Sequence, residues 1–200
     1  MIPMKYLFSR ALGGYVLMVP VLVLYFLLLI VFRRKQKPFH VVADFIFVFY
    51  LFFVIAATGI GNTIATSFSP EIRLIPFRDI FVAPKHLILN IAAFVPLGVF
   101  LPLLYKRCCN IKIVAVVGFL FSLCIELVQM FGWGVTEIDD VIANTLGVCM
   151  GYGSYSLITK GMHKDFGKPF QAVNINDIVE LFFLSTSTFL IMALVEPMVM

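Results

Sequence analysis

Charge is scarce in this 200-residue chain. Asp, Glu, Lys and Arg make up 13% of it against 62% hydrophobic residues, where a soluble domain carries about 25% charged and 45–50% apolar residues. That excludes an ordinary soluble domain and leaves an integral membrane protein. There is no disulfide framework either, because Cys108, Cys109, Cys124 and Cys149 follow neither paired nor zinc-type spacing. The chain also lacks G-x-S-x-G, H-E-x-x-H and a phosphate-binding glycine loop, so no hydrolase or nucleotide-binding motif supplies a catalytic residue. Net charge is +4, but the bases are confined to short loops, which marks membrane orientation and excludes a nucleic-acid partner.

Apolar runs long enough to cross hydrocarbon are plentiful. A bilayer core about 30 Å thick takes about 20 residues at 1.5 Å each. Runs near that length cover residues 11–32, 41–60, 87–105, 111–131, 140–159 and, more weakly, 178–196, which holds Glu180 and the polar run "STST". The first run is too long for a signal-peptide core, has no small-residue cleavage site and ends in "RRKQK", a stop-transfer flank. The expected fold is all-α: one polytopic helical bundle of six spans forming a single membrane domain over residues 1–200. A short interfacial segment is expected near 76–83, where "PFRDIF" follows an acidic and basic stretch.

Ten bases fall in the loops after the first, third and fifth spans, and five on the other side. The positive-inside rule then puts both termini outside a plasma membrane, together with the base-free acidic loop "GWGVTEIDD". Glu126 lies five residues before the outer end of the fourth span, about 7–8 Å deep, and Asn144 and Asn90 reach a similar level from the fifth and third. At about 100° per residue, Ser122, Glu126 and Gln129 share an arc of about 60°, as do Asp140, Asn144, Gly147 and Gly151. Gly147 and Gly151 form a small-xxx-small pair that admits a neighbouring backbone. Pro96 and Pro102 each free a carbonyl in the third span.

An ionised carboxylate at that depth costs several kcal/mol, so Glu126 is the leading candidate for function. Arg78, Lys85 and His86 are available on the same side to compensate it. The competing reading makes Glu126 a clamp on Gln129 and Asn144, and Asn90 and Asn144 interhelical hydrogen-bond glue. Asp139 and Asp140 open the fifth helix, where carboxylates meet the positive end of the dipole. Glu126, Glu137, Asp139 and Asp140 offer oxygen ligands, but no spacing specifies a metal, and neither metal nor cofactor is expected.

The ordered set "RLIPFRDI", "NIAAFVPLGVFLPLL", "IELVQ" and "EIDDVIANTLGVCMGYG" resembles the VanZ-like family of bacterial membrane proteins. The resemblance covers residues 73–159 as a core, and the second span is expected to belong with it. Its motif positions fall on Pro76, Phe77, Asn90, Pro96, Gly98, Glu126, Gln129, Asp140, Asn144 and Gly147. Many members carry an arginine just before the acidic turn, where this chain reads "WGVTE". The resemblance implies a link to glycopeptide resistance of the teicoplanin type, without supplying a mechanism.

The resulting candidate ligand site is Asn90, Glu126, Gln129, Asp140, Asn144 and Arg78, with no catalytic residue assigned. It is expected to face the bundle rather than lipid and to engage a lipidated glycopeptide or a lipid-linked peptidoglycan precursor, with membrane lipids as the protein's other partners. Two alternatives stay open. One is a membrane enzyme acting on a lipid head group with Glu126 and Asp140 as acid and base; the other is a proton-coupled transporter titrating at Glu126.

Overall fold

The computed structural model describes residues 4–61, 68, 71–73, 75–76, 84–131, 135–161, 167–173 and 175–195. The expected interfacial segment from Phe77 to Ala83 lies outside them, and Arg78 with it. Among the described residues six helices are long and apolar enough to cross a membrane, so this is a multi-pass membrane protein. They are α1 (Met4–Val31), α2 (Pro38–Ala57), α3 (Pro84–Leu104), α4 (Ile111–Gln129), α5 (Ile138–Gly161) and α6 (Asp177–Leu190), the last running on through a π turn at Ile191–Val195. The helices group into two compact units, Met1–Thr66 with Pro169–Met200, and Ser67–Lys168.

In the first unit α1 and α2 form a hairpin. Its turn places Arg33 at φ 58° and launches α2 on Pro38, whose missing N–H costs nothing in a first helical turn. Tyr15 meets Phe49 edge-on at 5.2 Å, and Gly14 leaves room for the Phe52 ring, which a β-carbon there would meet at 2.7 Å. The first span starts seven residues earlier than hydropathy places it. The reason is Arg10, which is buried and donates from Nη2 to the Ile60 carbonyl at 2.9 Å, at the end of α2 where Gly59 and Gly61 take left-handed φ. A charge that finds a carbonyl does not end a span.

The weak sixth span is a helix because its polar residues are satisfied. Asn176 caps it by accepting from the Ile178 N–H, and Thr188 within "STST" returns its hydroxyl to the Leu184 carbonyl at 2.7 Å. Glu180 is buried and accepts from the Tyr25 hydroxyl at 2.8 Å.

In the second unit α5 is the central element, packing extensively on α3 and more lightly on α4. The close approach rests on glycine. A β-carbon on Gly98 would overlap the Val148 carbonyl, one on Gly147 the Ile91 carbonyl, and one on Gly151 the Val95 carbonyl. The small-xxx-small pair of α5 therefore has its partner backbone, on α3. That helix runs unbroken through Pro96 and Pro102. Leu120 and Leu127 of α4 and Leu146 and Met150 of α5 are exposed, as a lipid-facing surface requires, while the polar face of each helix is buried.

Two short strands accompany the helices of the expected all-α bundle. β1 (Glu71–Arg73) pairs in parallel with β2 (Val135–Glu137), with Ile72 opposite Thr136 and Arg73 opposite Glu137. This ties the segment that precedes α3 to the acidic turn between α4 and α5.

Candidate functional site

The fourth and fifth helices meet through two polar rungs. At the inner rung Asn144 donates from Nδ2 to Ser122 Oγ at 2.9 Å, both side chains being buried. At the outer rung the Glu126 carboxylate accepts from the Glu137 N–H at 2.8 Å through Oε2, while the Thr136 hydroxyl donates to the Glu126 carbonyl at 2.9 Å. One residue thus anchors the acidic turn with its side chain and its backbone together. The β1–β2 pair completes the arrangement, since Arg73 Nη1 donates to Glu137 Oε1 at 2.6 Å. That pair is partly exposed and contributes at most about 1 kcal/mol. It nevertheless brings a cation to the acidic turn from a segment 64 residues away in sequence.

Of the expected site residues, Glu126, Gln129 and Asn144 are buried, and Asp140 and Asn90 are half-buried. Asp140 opens α5 close enough to Glu126 for their charges to interact. Asn90 lies beside Ile91, the residue against which Gly147 packs, but among the described residues it hydrogen-bonds to none of the others. Arg78 is outside the described residues. Glu126 has no arginine, lysine or histidine in contact among them; its hydrogen bond comes from a backbone N–H. Asn144 Oδ1 is buried without a hydrogen-bond partner. A buried acceptor left without a donor costs about 1–3 kcal/mol.

A second constellation lies in the first unit and went unanticipated. His40, Asp44 and Glu180 are fully buried, and one oxygen of each carboxylate stands 3.1 Å from His40 Nε2. His40 and Asp44, four residues apart on α2, share a helix face, which was readable; that Glu180 joins them across 136 residues was not.

The class defined by this fold and these sites is a six-span membrane protein with a polar cluster buried between two of its helices. The chain belongs to the VanZ/LLP1 family, whose model matches residues 41–159 and so takes in the second span. It is also 35% identical over 81 residues to Protein VanZ of Enterococcus faecium, a match covering 40% of this chain and 50% of that protein. The chain thus spans about half the length of the curated relative it matches. No solved structure matches it.

Proposed function

We propose that this protein acts in the bacterial cell envelope as a teicoplanin-resistance-associated membrane protein. In this reading the cluster of Glu126, Gln129, Asp140 and Asn144, flanked by Asn90, engages a lipidated glycopeptide or a lipid-linked cell-wall precursor from the outer face. The observation that carries it is the buried, unpartnered Oδ1 of Asn144, whose amide donates to Ser122 one turn before Glu126 on α4. Together Asn144 and Glu126 offer acceptors at membrane level to a ligand rich in hydroxyl and amide donors. A lipid tail on that ligand would lie alongside the exposed apolar faces of α4 and α5. The name of the Enterococcus faecium relative and the family membership support the same direction.

The orientation that goes with this reading has both termini outside. Labelling single-cysteine variants in intact cells checks it. Exposed Cys109 should be protected from a membrane-impermeant maleimide, whereas Glu71→Cys should react, and the reverse pattern would place the polar cluster on the cytoplasmic side. The functional test is drug susceptibility: cells expressing the protein should tolerate more teicoplanin than vector controls. Equal susceptibility at confirmed membrane expression would remove the resistance role.

A further inference from the structure

We propose that His40, Asp44 and Glu180 form a binding site for one divalent transition-metal ion of the zinc type, independent of the cluster around Glu126. The argument starts from protons. His40 Nδ1 is 2.7 Å from the Phe170 carbonyl, a group that can only accept, so Nδ1 carries the hydrogen. In the neutral ring the lone pair then belongs to Nε2. That lone pair faces Asp44 Oδ2 and Glu180 Oε2, each at 3.1 Å, where three electron-rich atoms repel unless a cation lies among them. A backbone carbonyl that fixes Nδ1–H is the usual outer partner of a metal-bound imidazole.

Charge bears on which cation sits there, since neutrality takes either one divalent ion or two protons. A proton on Nε2 leaves the set of one imidazolium and two carboxylates with a net charge of minus one, all three side chains having no exposed surface. It also serves one carboxylate at a time: the hydrogen-bond geometry goes to Glu180, and both oxygens of Asp44 are buried with no hydrogen-bond donor. A divalent ion bound by neutral His40 brings the net charge to zero and satisfies Asp44 as well. Uncompensated charge in such a place is what buried ion clusters avoid.

Distances agree. Zinc–nitrogen and zinc–oxygen bonds of about 2.0–2.1 Å set donor atoms about 3.3 Å apart around a tetrahedral ion. Nε2 stands 3.1 Å from both oxygens, and all three donors lie within 4.8 Å of one another. Tyr25 donates to the other oxygen of Glu180 at 2.8 Å, orienting that carboxylate, and its ring stacks on Phe183 at 5.0 Å. One nitrogen and two oxygens match zinc, manganese or ferrous iron over copper(I), which prefers sulfur. Three protein ligands leave a coordination position open, as in sites that bind a water or substrate.

The test uses tag-free, full-length protein in lipid nanodiscs, stripped with chelator, loaded with Zn²⁺ and desalted before elemental analysis. One zinc per chain is expected, with Co²⁺ giving the visible absorption of a nitrogen- and oxygen-ligated ion. Asp44→Asn should lose both signals, Tyr25→Phe should weaken affinity about tenfold, and Glu126→Gln should retain full stoichiometry. Retention of metal by Asp44→Asn, a cobalt spectrum dominated by thiolate charge transfer, or no stoichiometric zinc in the wild type would overturn the site. Were Asp44→Asn to misfold, the wild-type stoichiometry and cobalt spectrum would still decide it. Loss of teicoplanin tolerance in Glu126→Gln with zinc intact would show the two sites to be separate.

Discussion

Gly151→Leu is expected to prevent the second unit from assembling, giving protein that is degraded in the cell or elutes as aggregate in detergent. The β-carbon added there would fall on the Val95 carbonyl and 2.9 Å from Gly98 Cα. These are backbone atoms, which cannot rotate aside as a side chain does. Relief requires α3 and α5 to move apart along an interface that three glycines hold closed. Overpacking where side chains can yield costs about 1–3 kcal/mol, and this position belongs at or above the upper end. Gly98→Ala should be damaging for the same reason, because its β-carbon meets the Val148 carbonyl. Since Gly98 and Gly151 face each other, the double alanine variant should cost less than the sum of the singles. Gly153, two residues after Gly151 and on the opposite side of α5, with nothing within 4 Å of its β-carbon position, is the control: Gly153→Leu should leave elution and melting unchanged. Wild-type behaviour of Gly151→Leu would contradict the packing described.

The second large effect concerns Glu126. Glu126→Leu removes the acceptor of the Glu137 N–H and should lower stability by about 1–3 kcal/mol, the cost of leaving a buried polar group without its partner. The loss should be local, with faster amide exchange at Glu137 and through the first turn of α5. Glu126→Gln presents a carbonyl oxygen in the same place and should hold the turn to within about 1 kcal/mol. The two variants therefore separate anchoring from charge. If Glu126 serves only to anchor, Gln should behave as wild type in susceptibility as well as in stability. If the cluster engages a ligand through the carboxylate, Gln should be stable and no more tolerant of teicoplanin than the vector control. A thermal midpoint for Glu126→Leu equal to wild type would show that the hydrogen bond to Glu137 does not hold the turn.

How far the sequence could be read follows from the range of each interaction. The six spans were legible because hydrocarbon imposes a length and a composition, both local properties. The buried faces of α4 and α5 were legible because helical periodicity puts Ser122, Glu126 and Gln129 in one stripe and Asn144, Gly147 and Gly151 in another. Depth suggested one shared level for Glu126 and Asn144, but their partners, Glu137 N–H and Ser122 Oγ, depend on how the turn closes. The β1–β2 pair was beyond reach, since three-residue strands carry no periodic signal and their pairing spans 64 residues. Arg10 shows the opposite failure: treated as a boundary because it is charged, it is buried because a helix end supplied a carbonyl. His40 and Asp44 lay on one readable face, but only the fold brings Glu180 to them. Tertiary closure, and not composition, decides which buried charges are paired.

The most direct measurement of the central proposal is binding by the purified protein in lipid nanodiscs, with the recovered molecules identified by mass spectrometry. Wild type and Glu126→Gln, matched for folding by their melting curves, would each be titrated with teicoplanin and, separately, with a lipid-linked peptidoglycan precursor. Saturable binding of one of these by wild type, at least tenfold weaker in Glu126→Gln and with the ligand recovered chemically unchanged, is the result this account predicts. A ligand recovered in altered form, with the alteration lost in Glu126→Gln, would make the cluster catalytic. Equal binding by both proteins, or none by either, would contradict a ligand site built on Glu126.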